Sequence, residues 1–171
     1  MTITPDFGAL CTEVKREFPA FTLAKKSDSW WLSLFGKVIG QQFMSNYVTT
    51  IGNTVYVPSL WNGWGPATKC ALLRHERVHM RQARKLSFPV FAFLYMMVFL
   101  PLGLAYFRAM FEEEAYAESL AAYKDYGMDY TSSDCKAWMV SQFTTSAYGW
   151  MWPFPSAVGS WFDQTVSKLD S

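Results

Sequence analysis

Residues 88–107, FPVFAFLYMMVFLPLGLAYF, run for twenty positions without a charged side chain. A helix rising about 1.5 Å per residue would carry that run across the roughly 30 Å hydrocarbon core of a bilayer. Arg84, Lys85 and Arg108 stand at its two ends. Two folds are open to such a chain. Either the run crosses a membrane once and puts its two flanking segments on opposite sides, or it turns back and brings its ends together. Pro101 and Gly103 offer a place for the turn, because proline breaks a helix and glycine tolerates the reversal.

The segment LLRHERVHMRQ, residues 72–82, bears on that choice. It holds both histidines of the chain, His75 and His79, with Glu76 between them. Pro66 suits the first turn of a helix. A 3.6-residue repeat over about 66–86 then places Thr68, Leu72, His75, His79, Gln82 and Leu86 on one face. Arg74, Arg77, Arg81 and Lys85, with Arg84 beside them, line another face, expected to be solvated. Two histidines at i and i+4 project to the same side one turn apart, so their ring nitrogens can converge on one ion. Zinc suits two imidazoles and a carboxylate, with a further position left for water. Glu76, next to the first histidine, is placed to take a proton from a water that the metal activates, not to bind the metal.

Such a site needs a third ligand from a second element, and FEEEAYAE, residues 111–118, supplies candidates. Glu112 and Glu114 cannot share a helix face. Glu112 shares one with Ala115 and Tyr116, and Glu114 with Glu118. A run of acids near a helix N-terminus is also favourable through the helix dipole alone. A ligand at either glutamate excludes a single crossing, which would carry it to the far side from His75 and His79. Residues 88–107 are therefore expected to form a buried or interfacial helical hairpin.

The rest of the chain reads as an α+β protein, rich in helix, folded as a single domain over 1–171. Residues 5–18 form an amphipathic helix opened by Pro5, with Leu10, Val14 and Phe18 four apart. Residues 29–44 are apolar but interrupted by Gly36 and Gly40, as in a broken helix. NYVTTIGNTVYVP is rich in β-branched residues, and its Gly-Asn step marks a strand or small hairpin. SLWNGWGP is a loop. A helix over RAMFEEEAYAESLAAYKDYG ends at Gly127, and residues 130–171 are expected to form an irregular aromatic wrap. Apolar residues make up 51% of the chain and charged residues only 17%, so much of its surface is expected to be covered or to meet lipid or protein. A net charge of +1 argues against nucleic acid as a partner. Cys11, Cys70 and Cys135 are odd in number and widely spaced, as in a protein with reduced thiols. The N-terminus lacks the pattern of a secretory signal, so a cytoplasmic location is expected.

HExxH-x-x-Q followed by an E-x-x-A helix resembles the small gluzincin-type metallopeptidases of bacteria and phages. The likeness covers roughly residues 20–125: TTIGNTVYVP looks like the strand before the active-site helix, HERVHMRQ like that helix, and FEEEAY like the third-ligand helix. It implies a zincin-like fold with a small sheet or hairpin beside the active-site helix and extended peptide received at the sheet edge. It further implies zinc (Zn2+) held by His75, His79 and Glu112, with Glu76 as general base. Related gluzincins often carry Asp or Asn four residues after the third ligand, where this chain has Tyr116. An alternative register makes Glu114 the ligand and Glu118 the supporting acid. Tyr95, Tyr106, Tyr116 and Tyr123 are candidates for stabilising an oxyanion.

The function expected on these grounds is a zinc-dependent peptidase or amidase acting on a peptide or peptidoglycan-type substrate. The alternative is a structural or virion-assembly component, with protein partners and weak or no catalysis. A third possibility is a membrane-associated protein making peripheral lipid contact through 88–107.

Overall fold

A computed structural model describes residues 2–30, 47–96, 105–145 and 151–171. They form six α-helices and one three-stranded sheet, a helix-rich α+β architecture. Among the described residues, no helix is long and apolar enough to cross a membrane. The expected broken helix over 29–44 lies, from residue 31 onward, outside the described residues, as does the turn at Pro101 and Gly103. The chain divides into two compact units, Pro5–Met80 and Arg81–Ser171, the latter including Met1–Thr4.

In the first unit, helix α1 (Phe7–Glu17) is opened by Asp6, whose carboxylate accepts from the Ala9 amide at 2.9 Å. Asp6, one residue after the expected Pro5, satisfies an otherwise orphaned backbone donor. Leu10, Val14 and Phe18 are buried as their spacing predicts. The sheet is ordered β1 (Thr22–Lys25), β3 (Thr54–Val57), β2 (Thr49–Ile51), with β1 parallel and β2 antiparallel to β3. Ile51 pairs with Thr54, so Gly52 and Asn53 are the whole loop. Gly52 sits at φ +60°, the left-handed first position of a type II′ turn, which matches the twist of a hairpin. Val55 and Val57 alternate inward from β3.

A 3-10 turn at Ser59–Gly63 then buries Trp61. Its ring meets Phe7 edge-on at 5.5 Å and lies under the Lys69 ammonium at 5.7 Å. Helix α2 (Pro66–Leu86) comes next. The basic face expected to be solvated departs from that expectation at Arg77. Its Nε donates to Glu17 at 2.6 Å and its Nη1 to Glu13 at 3.0 Å, with only 14% of the side chain exposed. The two acids fall one turn apart on α1, and so clasp one guanidinium.

In the second unit, α2 ends at Leu86 and Ser87 reverses the chain at φ 66°. Helix α3 (Phe88–Met96) and helix α4 (Tyr106–Asp125) pack antiparallel. Phe91 lies against Phe111 with centroids 5.1 Å apart, and the Arg108 guanidinium covers the Tyr95 ring at 4.8 Å. Gly127 caps α4 at φ 67°. There its amide bonds the Lys124 carbonyl and the Met128 amide bonds that of Tyr123, closing carbonyls that the helix end leaves open.

The expected irregular wrap over 130–171 is instead two helices among its described residues, α5 (Ser133–Thr144) and α6 (Pro155–Asp170). Ser132 caps α5 by accepting from the Cys135 amide at 3.1 Å, and Pro155 opens α6, where its missing donor costs nothing. Tyr116 and Leu120 of α4 join Met139, Phe143, Val158 and Phe162 in the apolar core of this unit.

Candidate metal centre

Helix α2 buries a polar face. His75, Glu76, His79 and Gln82 are each 6–7% exposed, although residues of this kind are ordinarily left in water unless paired. The Nε2 atoms of His75 and His79 stand 3.2 Å apart, and their rings are nearly perpendicular at 79°. Two nitrogens each about 2.0–2.1 Å from one tetrahedral ion would be roughly 3.3 Å apart. The helix therefore holds both imidazoles at the spacing that sharing an ion requires.

On α4, Glu112 is 1% exposed, with the buried, small Ala109 and Ala115 three residues to either side. The Tyr95 hydroxyl donates to Glu112 Oε1. Gln82 ties down the helix beside Glu112: its Nε2 donates to the Phe111 backbone carbonyl at 3.0 Å and to the Glu114 carboxylate Oε2 at 2.8 Å. His75, His79 and Glu112 form a buried group, each offering one ligand atom, with those atoms within 4.8 Å of one another. The group could hold a metal ion. Two imidazole nitrogens and one carboxylate oxygen are a donor set that divalent transition metals accept.

The other candidates lie elsewhere. Glu114 is exposed and engaged by Gln82, and Glu118 is outside the group. Tyr116, at the position where an acid was sought, turns its ring to Trp138 and Phe143 in the apolar core. Of the four tyrosines considered for an oxyanion, Tyr106 is half-exposed against Phe107 and Trp152. Tyr123 is held by burial at a pKa of about 12, with Cys135 adding to the effect. Tyr95 reaches the group, but its hydroxyl is directed to Glu112.

Sequence reasoning passed over Lys26. This lysine comes directly after β1 and is 1% exposed. Burial pulls its ammonium down from 10.5 to about 8, and the negative charge of Glu76 opposes the fall. The group that would act as base thus has a buried cation in its electrostatic neighbourhood. Lys25 and Lys26 are adjacent in sequence, and only the helical turn after β1 distinguishes the one that goes inward.

No protein-family model, curated protein or solved structure is found to match this chain. The site defines a class by itself: a buried His-His-Glu group on two helices, with a second buried glutamate beside the first histidine.

Proposed function

We propose that the chain is a zinc-dependent peptidase or amidase with a zincin-like catalytic core. The observation that carries this reading is the convergence of His75, His79 and Glu112 within 4.8 Å, with Glu76 buried on the same helix. The order of elements supports it: a β-hairpin (β2–β3), then the helix with both histidines, then the helix with the third carboxylate. Zinc is preferred because three mixed nitrogen and oxygen donors leave one tetrahedral position open.

When bound, the ion would polarise a scissile carbonyl and acidify a water. The protein's own residues do the rest. His75 and His79 are pre-set by α2. Glu112 is oriented by Tyr95, and its helix segment is fixed by Gln82. Glu76 takes a proton from the attacking water and passes it to the leaving nitrogen.

Metal content of the purified wild type, measured beside Glu112→Ala and Glu114→Ala, tests the site. Stoichiometric zinc is expected in the wild type and in Glu114→Ala, and none in Glu112→Ala. A wild type that takes up no zinc when supplied with it overturns the reading. Glu76→Gln is expected to keep its zinc and lose hydrolysis of a mixed peptide library. If it cleaves as the wild type does, Glu76 is not the base.

A further inference from the structure

Helix α3, FPVFAFLYM, is apolar on every side. A helix of that kind normally lies inside a core or in lipid. Here Phe91 is buried, yet Phe88 is 45% exposed, Val90 47% and Phe93 65%. The opening turns of α4 add Tyr106 at 52%, Phe107 at 44% and Met110 at 47%. Single exposed apolar residues need no explanation, but six on one antiparallel helix pair mark a surface that meets something. The Phe91–Phe111 and Tyr95–Arg108 contacts hold the two helices together, so the exposed side chains belong to one structural unit.

The charge pattern identifies the partner. Arg81, Arg84 and Lys85 are exposed on the closing turns of α2, whereas Arg77 is clasped by Glu13 and Glu17 and Arg108 covers the Tyr95 ring. No Asp or Glu stands between residues 77 and 111. Arg84 and Lys85 are exposed and lie in the last turn of α2, immediately before Phe88. In a symmetric pair of copies, this face would set those cations against their own counterparts, which is unfavourable. A layer of anionic headgroups over hydrocarbon complements both parts of the face. Phe and Tyr side chains settle at the boundary between acyl chains and headgroups while Lys and Arg meet the phosphates and carboxylates above.

We propose that α3 and the first turns of α4 dock on an anionic membrane surface, entering its interface without crossing it. The proposal stands apart from the metal site and does not depend on it.

Co-sedimentation of the full chain with vesicles tests it, using phosphatidylcholine alone and phosphatidylcholine mixed with phosphatidylserine. The wild type is expected to pellet with the mixed vesicles roughly tenfold more strongly than with the neutral ones, and to be released by salt. The double variant Phe88→Ser/Phe93→Ser is expected to lose that binding while keeping its circular dichroism and cooperative melting, since both side chains are exposed. Arg84→Gln/Lys85→Gln is expected to weaken binding to the mixed vesicles and reduce its salt dependence. A wild type left in the supernatant with both vesicles overturns the proposal, and so does a Phe88→Ser/Phe93→Ser variant that pellets like the wild type. A concentration-dependent dimer abolished by Phe93→Ser, with no vesicle binding, assigns the face to a second copy instead.

Discussion

Helix α4 carries two kinds of buried surface. Toward its C-terminus, Leu120 is fully buried among Met139, Phe143, Val158 and Phe162. Two turns earlier Glu112 is just as inaccessible, but its company is His75, His79 and the Tyr95 hydroxyl. The apolar cluster is held by area removed from water and by close packing, which are non-directional, so its response to truncation is graded. The polar cluster depends on particular atoms at particular distances, so removing one donor spoils the arrangement for the others. An apolar core makes the fold stable, whereas a polar group of this composition could hold a metal ion.

Two truncations separate these regimes. His79→Ala should lower zinc affinity by roughly three orders of magnitude, because one of three protein donors is gone. Competition against a chromogenic chelator measures this. Leu120→Ala should cost about 2–5 kcal/mol of unfolding free energy, from lost transfer energy and the cavity left behind. Urea melts in chelator provide that figure, and zinc affinity should be unchanged. If Leu120→Ala weakens zinc as much as His79→Ala does, the two clusters are one cooperative unit and the contrast is wrong.

Much of this is legible in the sequence, for local reasons. Pro66 and the histidine-bearing repeat mark α2, Gly52-Asn53 marks the hairpin and Gly127 the end of α4, because each signal is a backbone requirement that a few neighbouring residues satisfy. The phase of α4 separates Glu112 from Glu114, but only the packing around Ala109 and Ala115 shows which turns inward. The C-terminal helices carry start signals in Ser132 and Pro155, but their interiors are weakly marked. Val140, Thr144 and Thr165 are indifferent helix formers. Gly159 lies inside α6, where a Cβ would approach Lys136 Cε to 3.3 Å. Those helices are stabilised by Met139, Phe143, Val158 and Phe162 meeting α4, a tertiary fact. The burial of Lys26 is tertiary too, as is the clasp of Glu13 and Glu17 on Arg77.

Lys26 sharpens the comparison with a different variable, pH. Its ammonium titrates at about 8 in the folded chain against an ordinary 10.5. Below about 8 it is protonated whether the chain is folded or not, and burying the charge is a constant penalty. Between about 8 and 10.5 the unfolded chain holds the proton that the folded chain has released. Unfolding therefore takes up a proton, and this lysine makes stability rise with pH across that window. The full effect is on the order of 3 kcal/mol. Denaturant melts of wild type and Lys26→Met at the two ends of the window measure it as a difference, cancelling the other groups that titrate there. Equal slopes in the two proteins would remove Lys26 from the account of the polar cluster.

The smallest effect expected is that of Gln82→Leu. The substitution keeps approximate volume and apolar packing while deleting the donors to the Phe111 carbonyl and to Glu114. Neither group is a ligand, so the donor set of His75, His79 and Glu112 survives intact. What changes is how firmly the backbone bearing Glu112 is held. Outer partners of this kind are worth roughly ten- to a hundredfold in metal affinity, and the lower end is expected here because Tyr95 still bonds Glu112 directly. The same chelator competition, applied to Gln82→Leu, Tyr95→Phe and the double variant, distinguishes positioning from simple damage to the fold. If Gln82 and Tyr95 both act by fixing Glu112, the double variant should lose less than the product of the single losses, since one loosened carboxylate cannot be loosened twice. Fully multiplicative losses would mean that the two residues act independently, and that the polar cluster tolerates piecemeal change as the apolar one does.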